Sequence, residues 1–353
     1  MPDIWAILRK YTPLIDEKIE QYLPRRFDER ALERLCGRPR YEWDLDALNK
    51  AVAEPMWDLL SRGGKRWRPS LFLLVYEALG GNPEDVLDYA IIPEVIHNGT
   101  LIVDDVEDDS EYRRGKPCIH RIYGVDIAIN AGNLMYYMPF VVLMQDKRIS
   151  PEKKAKIYEM YIQELIRLGM GQAMDIAWHR GLSPKVSEEQ YLQMCAYKTG
   201  TLARLAAKLA AILAGVDDEK VESIGRFAEA IGVAFQIQDD VLNLVGDVEK
   251  YGKEIGGDIT EGKRTLMVIH ALSHASPEDA KRLTEILNMH TRDKKLIAEA
   301  INIIRKYGSI EYAKQVSRRI MQEAWNEIDG WLPPSEAKKA LEALAKFLIE
   351  RKL

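Results

Sequence analysis

The sequence predicts an all-α protein, and three observations carry that reading. Helical spacing of apolar residues recurs almost throughout the chain. Alternating β-branched runs joined by Asn-Gly or Asp-Gly turns are scarce, and no strand leads into a Gly-rich turn that would open a nucleotide-binding unit. Prolines, paired glycines and N-capping residues punctuate the helical stretches.

Residues 1–24 read as an amphipathic helix stopped near Pro24, and 25–43 as irregular, with Gly37 and Pro39 marking a turn. Asp44 caps a helix to about Ser61, before the Gly63-Gly64 break. Pro69 to Leu79 is a short buried helix ended by Gly80-Gly81. The next helix starts clearly, with Asn82 as N-cap, Pro83 in the first turn, and Glu84 and Asp85 favoured by the helix dipole. Pro93 is expected to kink it, because proline removes a backbone donor and crowds the preceding turn. Further helices are expected at about 126–146, 151–179, 187–214, 217–246, 261–275, 277–289, 293–306, 309–330 and 335–351. No fixed-period repeat is evident. The reading is one domain over 46–353 with a helical extension over 1–45, in which no chemistry is visible.

Composition narrows the function. The 353 residues are 47% hydrophobic, enough to fill a core, and 30% charged, with a net charge of −5. No basic stripe dominates, which argues against nucleic acid as a partner. An anionic substrate would then be met by local basic groups or by metal. Cys36, Cys118 and Cys195 are odd in number and lack metal-ligand spacing, which favours a reduced setting. The first residues lack a basic leader with a long apolar core, and no apolar run reaches the roughly 18 residues of a membrane span. The expectation is a cytoplasmic protein without stable membrane insertion.

Two acidic clusters carry the chemistry: Asp104-Asp105-Val106-Glu107-Asp108, and Asp239-Asp240 with Asn243. Each closes an apolar helical stretch, where ionised carboxylates without partners are costly. Asp104 and Asp108 lie one turn apart on one helix face, as do Asp239 and Asn243. Such oxygen ligands suit Mg²⁺, which takes one or two carboxylates and completes its shell with water and phosphate. Facing each other across a bundle, the clusters would hold a magnesium–diphosphate substrate.

Basic groups alternate with them. Lys65 and Arg68 follow the Gly63-Gly64 break, where backbone can approach an anion; Arg forks suit phosphate oxygens and Lys supplies a point charge. Arg113-Arg114-Gly115 follows the first carboxylates, Lys198-Thr199-Gly200 interrupts an apolar helix, and Lys253 and Lys263 flank the Gly256-Gly257-Asp258 turn. Singly, each reads as solvated surface. Their order marks a site.

That order resembles the trans-isoprenyl diphosphate synthases, the family of farnesyl and geranylgeranyl diphosphate synthases, over about residues 50–320. Asp104-Asp105-x-x-Asp108 followed by Arg113-Arg114-Gly115 looks like the first aspartate-rich motif, and Phe235-Gln236-x-x-Asp239-Asp240-x-x-Asn243 like the second. Gly63-Gly64-Lys65-x-x-Arg68-Pro69, His97, Lys198-Thr199 and Lys253 ahead of Gly257-Asp258 match further signatures. The resemblance implies an isoprenoid synthase type I bundle around a central cavity, a homodimer, and Mg²⁺-dependent 1′-4 condensation of isopentenyl diphosphate with allylic diphosphates. It implies that Asp104 and Asp108 bind two Mg²⁺ ions and Asp239 a third, with Asp105, Asp240 and Asn243 completing the metal set and Mn²⁺ able to substitute. Arg113, Lys198 and Lys253 would hold the allylic diphosphate, with Lys263 nearby. Lys65, Arg68, His97 and Arg114 would hold isopentenyl diphosphate, and Thr199 and Gln236 would lie near the developing cation. Asn243 stands where the family often has Asp, so weaker support of the third metal is expected. The end, Glu350 to Leu353, is a weaker version of the basic tail of some relatives.

Product length turns on the apolar side of the first acidic helix. Relatives that stop at fifteen carbons usually carry a bulky aromatic at the positions of Gly99 or Thr100. Gly99 costs about 1 kcal/mol of helix propensity relative to Ala, which points either to space for a growing chain or to close helix packing. Ile96 and Ile92, or Met135, Tyr136 and Tyr137, are the next candidate floors. The expected product is geranylgeranyl diphosphate or longer. A terpene cyclase is the alternative enzyme, against which the intact Lys65, Arg68, His97 and Arg114 set counts; a non-catalytic partner subunit is the other alternative. His270 and His274 stand at i and i+4 without a third ligand and read as structural, as does His120.

Overall fold

The structure, a computed structural model, describes residues 2–183, 185–245 and 255–349 and is all-α apart from one two-residue hairpin. The chain divides into two compact units. The first comprises Met1–Glu159, Ala206–Val216 and Pro333–Leu341, and the second Met160–Leu205, Asp217–Leu332 and Glu342–Leu353.

In the first unit, helix Ile91–Glu107 packs along helix Val125–Tyr137. Gly99 and Gly132 meet at this crossing. A Cβ on Gly99 would stand 2.7 Å from the Gly132 carbonyl oxygen and 2.8 Å from Met135 Cβ. Of the two readings of Gly99, close packing is the one this geometry favours. The N-terminal helix Ile4–Tyr22 packs on Trp67–Ala78 through Ile4, Leu8, Tyr11, Ile15 and Ile19.

Several boundaries differ from the sequence reading, each for a physical reason. Residues 25–43 are not wholly irregular: Asp28 caps helix Glu29–Cys36 by accepting from Ala31 N–H at 2.7 Å. Asp44 does cap the next helix, but the run to Ser61 passes through a π-turn at Asn49–Ala53 just before Pro55. Proline cannot donate to a carbonyl one turn back, and a wider turn absorbs the mismatch. Pro93 lies in the first turn of Ile91–Glu107, after a 3₁₀ segment, Pro83–Ala90, that Asn82 caps as expected. A first-turn residue needs no intrahelical donor, so the irregularity falls ahead of Pro93.

The second unit is built on helix Asp218–Val245 packed along Ser309–Asp329. Its core gathers Tyr191, Cys195, Ile237, Val241, Met267, Leu287, Ile304 and Val316. The expected helix 187–214 begins at a Ser187 capping box but is broken by a π-turn at Ala196–Gly200. Two glycines on neighbouring helices permit that turn. A Cβ on Gly171 would meet Lys198 N at 2.4 Å, and one on Gly232 would meet Gly200 Cα at 2.5 Å.

Two helical stretches, Pro83–Glu107 and Val125–Gln145, are long and apolar enough by length and composition to cross a membrane. The sequence reading expected no apolar run of that length. In the first, 67% of the most apolar window is buried inside the protein, as in a core helix.

Candidate active site

The first acidic cluster sits where helix Ile91–Glu107 ends. Ile96, Gly99, Ile102 and Asp105 are buried, whereas His97, Thr100 and Asp104 lie on the half-open face. Asp108 closes the helix, its N–H donating to the Asp104 carbonyl at 2.9 Å. The two neighbouring carboxylates therefore part company. The Asp104 side chain is 22% exposed and that of Asp105 only 1%. Asp105 accepts from Arg113 Nε at 3.0 Å and from its terminal nitrogen, while Asp104 stands 3.8 Å from the same guanidinium. Both oxygens of Asp105, one of the expected metal ligands, accept from Arg113. Burial opposes charge on Arg113, but the Asp105 hydrogen bond and charge outweigh it and hold the guanidinium protonated.

A short hairpin carries the Arg pair. Tyr112–Arg113 pairs antiparallel with Lys116–Pro117, and Arg114 and Gly115 both take positive φ, 53° and 75°. That is the backbone of a tight hairpin turn, in which glycine is at ease and arginine is not. It directs Arg114 to the Gly63 carbonyl and to Asn98 Oδ1 at 3.2 Å. Burial lowers the Arg114 pKa to about 10. Half-buried His97 lies in the field of Arg68, Arg114, Arg113 and Arg66; burial first, then these cations, push it well below its ordinary value, so the imidazole is neutral. Exposed Lys65 places its ammonium 5.5 Å from the centre of the Trp5 ring. Lys65, Arg68, His97 and Arg114 all belong to this unit, as do Ile96 and Thr100.

Sequence reasoning missed what supports this basic loop. Arg66, 4% exposed and itself at φ 48°, bonds Glu94 Oε1 at 2.7 Å, Asp16 Oδ1 at 2.8 Å and the Leu60 carbonyl at 3.0 Å. Glu94, 3% exposed, also accepts from Asn98 Nδ2 at 2.8 Å. Through Asp16 and Trp5 the N-terminal helix touches the Gly63–Arg68 loop. A charged residue on an amphipathic helix looks alike in sequence whether it faces water or a buried arginine.

The second cluster lies on helix Asp218–Val245 and is organised by hydrogen bonds. Thr199 Oγ1 donates to Gln236 Oε1 at 2.7 Å, and Gln236 Nε2 donates to Asp240 Oδ1 at 2.8 Å. Tyr191 O–H donates to Asp240 Oδ2 at 2.7 Å. Lys198 Nζ bonds Asp175 Oδ2 at 2.5 Å. Asp239 is half-buried, while Asp240 and Asn243 are each 6% exposed. Burial, then the charge of Asp258, pushes the Asp240 carboxyl well above the ordinary range; the Tyr191 and Gln236 bonds pull the other way.

Asn243 and Lys263 also have partners in this unit. Asn243 Oδ1 accepts from Asp258 N–H at 3.1 Å and its carbonyl accepts from Gly256 N–H at 2.8 Å. The side chain ties down the following turn and keeps a second lone pair on Oδ1. Lys263 pairs with Glu261 at 2.5 Å and stands 3.8 Å from Asp258. Lys253 and residues 350–353 lie outside the described residues. Asp175, Tyr191 and Glu94 contact these residues and were not singled out by sequence reasoning.

His270 stacks on His274 and on Tyr312, with ring centroids 4.1 Å apart in each pair, and bonds Ser309 through Nδ1. Among the described residues, no group of three His, Cys, Asp or Glu side chains could by itself hold a metal ion.

The polyprenyl synthetase family model matches residues 49–304. A short chain isoprenyl diphosphate synthase of Methanothermobacter thermautotrophicus is 36% identical over 351 residues, 99% of each chain. The crystal structure of a geranylgeranyl pyrophosphate synthetase from Pyrococcus horikoshii Ot3 superposes with a TM-score of 0.85 at 35% identity, covering 99% of this chain and 98% of that one. A geranylgeranyl pyrophosphate synthase from Corynebacterium glutamicum, complexed with isoprenyl diphosphate and magnesium, is similar at TM-score 0.83 and 28% identity, covering 98% and 99%.

Proposed function

This chain belongs to the polyprenyl synthetase family and is a trans-prenyltransferase; from that premise we propose that it condenses isopentenyl diphosphate with allylic diphosphates, 1′-4, to geranylgeranyl diphosphate or a longer all-trans product. One observation carries the proposal: Arg68, Arg114 and a neutral His97 are gathered beside the Gly63–Lys65 loop. A cyclase has no second diphosphate to hold and no use for such a group. The names of the relatives support the same substrate class.

Roles follow from the environments. Asp104 and Asp108 in the first cluster and Asp239 in the second are the half-open carboxyl groups that would hold Mg²⁺. Neither cluster alone is a full protein cage, which suits an ion that keeps water and phosphate oxygens in its shell. When bound, Mg²⁺ supplies positive charge to the departing diphosphate. We expect three ions per site and tolerance of Mn²⁺. Arg113, held straight by Asp105, and Lys198, held by Asp175, would grip the allylic diphosphate, with Lys253 as a third cation. Lys65, Arg68, His97 and Arg114 would hold isopentenyl diphosphate with its double bond toward the allylic carbon. Thr199 and Gln236 would turn their oxygens to the cation as the C–O bond breaks. Attack by the double bond forms the new C–C bond, and the product loses a proton to the released diphosphate. The protein thus needs no strong base. Its contribution is positioning, charge neutralisation and exclusion of water.

Incubation with labelled isopentenyl diphosphate, Mg²⁺ and dimethylallyl, geranyl or farnesyl diphosphate, then chromatography of the dephosphorylated product, tests this. A prenol of twenty or more carbons is expected. A cyclic hydrocarbon would mean a cyclase, and inertness with every starter a non-catalytic subunit.

Chain length is assigned to Thr100 in preference to Gly99. Thr100 shares the half-open face with Asp104, whereas Gly99 is pressed against Gly132 and Met135. Thr100→Phe is expected to shorten the product while the protein stays folded. Gly99→Phe is expected to separate two core helices, at a cost of about 1–3 kcal/mol or more from overpacking. Product chromatography with thermal melts checks both; a stable Gly99→Phe with a shortened product would reverse the assignment.

We also propose a homodimer. Ile162, Ile166 and Met170 recur at helical spacing on Pro151–His179 and are 53%, 57% and 58% exposed, an apolar stripe suited to a second copy. Sedimentation at micromolar concentration should give twice the chain mass; a monomer would refute it. The free thiols of Cys36, Cys118 and Cys195 support the cytoplasmic expectation, which cell fractionation checks. Residues 46–353 remain the proposed catalytic region, with 1–45 bracing its basic loop.

A further inference from the structure

We propose that Tyr191 is a positioning residue that sets the hydrogen-bond polarity of Thr199 and Gln236, so that both present oxygen lone pairs to the allylic cation. The inference rests on the prenyl-transfer reading above and deepens it. Tyr191 is 1% exposed, and its hydroxyl reaches Asp240 Oδ2 at 2.7 Å from the turn of helix just before the π-turn that carries Thr199. The other Asp240 oxygen faces Gln236 Nε2 at 2.8 Å. An amide nitrogen only donates, so Asp240 Oδ1 must accept, and Gln236 is held with Oε1 turned the opposite way. That oxygen faces Thr199 Oγ1 at 2.7 Å and only accepts, so the Thr199 proton is spent on it.

The end of the chain therefore shows acceptors only. Thr199 Oγ1 has lone pairs left, and Gln236 Oε1 retains a second one. A carbocation is stabilised by such oxygens and destabilised by O–H or N–H dipoles pointing at it. The Thr199 backbone cannot adjust, because the π-turn is wedged between Gly171 and Gly232. Orientation is thus left to the side chains, and the plane of the Asp240 carboxyl group decides it. Tyr191 fixes that plane from the side opposite Gln236. Without the hydroxyl, Asp240 can rotate, Gln236 can turn its amide, and the Thr199 proton is no longer committed. The aromatic ring also packs in the core, but ring and hydroxyl are separable, since phenylalanine keeps the first and removes the second.

The experiment compares Tyr191→Phe with the wild-type chain. Three quantities are measured: steady-state kcat and KM, and, by calorimetry, affinity for an allylic ammonium analogue relative to its neutral isostere. Tyr191→Phe is expected to lower kcat by about ten- to a hundredfold, as for a misplaced reacting group, with KM for isopentenyl diphosphate unchanged. The preference for the ammonium analogue is expected to fall by about tenfold, a difference of roughly 1.4 kcal/mol. A merely structural role would lower the melting temperature and leave that preference intact, which would overturn the proposal. Thr199→Val is the second variant, should Tyr191→Phe fail to fold. It removes the presented oxygen with Tyr191 in place, so undiminished ammonium preference there would also overturn it. Elongation by the wild-type chain separates the two levels. With elongation intact and Tyr191→Phe silent, only the polarity proposal falls; without elongation by the wild-type chain, both fall.

Discussion

Asp104→Ala and Asp239→Ala are each expected to lower kcat by a factor of about a hundred to a thousand, on the scale of losing one group that stabilises developing negative charge. Asp104 is the half-open carboxylate of its cluster, 22% exposed, whereas its neighbour Asp105 is bound to Arg113. Asp239 holds the corresponding half-buried position beside Asp240. Both variants should melt near the wild-type temperature, because both side chains are only half-buried. Turnover at saturating substrate and Mg²⁺, with calorimetric titration of Mg²⁺ and inorganic diphosphate, checks the point. Asp105→Ala should behave differently. It strands a nearly buried Arg113, so lost stability should accompany lost activity. Equal turnover in Asp104→Ala and the wild-type chain would remove this assignment of the first cluster.

Glu94→Ala is expected to destabilise the protein by about 3–5 kcal/mol, the cost of leaving a buried charge without its partner. Glu94 and Arg66 are 3% and 4% exposed and lie 2.7 Å apart. Asp16 is half in water and cannot replace the lost acceptor inside. The same carboxylate bonds Asn98, whose amide oxygen bonds Arg114, so the defect should spread to the basic loop. Glu94→Gln keeps an acceptor and should lose less. Chemical denaturation gives the stability difference, and the Michaelis constant for isopentenyl diphosphate should rise in parallel. A loss below about 1 kcal/mol, the usual worth of a surface pair, would show that this network is not a structural anchor.

Much of the fold was legible from periodicity and punctuation. Asn82, Asp44 and Ser187 cap helices where their side chains suggest, and Pro151–His179 and Ser309–Asp329 end within a residue or so of expectation. Helix caps and amphipathic stripes are local, so a linear sequence records them. The two π-turns and the first-turn place of Pro93 were not legible, because a single wider turn is set by what the neighbouring helices pack against it and carries no capping or breaking signal of its own. Gly171 and Gly232 could have raised suspicion, since a glycine inside a helix costs stability and asks for a reason.

The residues of the site divide in the same way. The aspartates, arginines and lysines of the proposed site, and their order along the chain, were readable in the sequence, because ligand spacing on a helix is a matter of counting. Which member of each pair looks outward was settled only by the folded chain. Asp105 and Asp240 are one residue away from Asp104 and Asp239, yet a rotation of about 100° around the helix axis sends them to the interior, where Arg113 and Tyr191 receive them. Partners brought from distant segments, Asp16 for Arg66 and Asp175 for Lys198, have no signature of their own. Helical periodicity is set by backbone geometry at each residue, whereas the burial and pairing of a charge depend on what the rest of the chain packs against it.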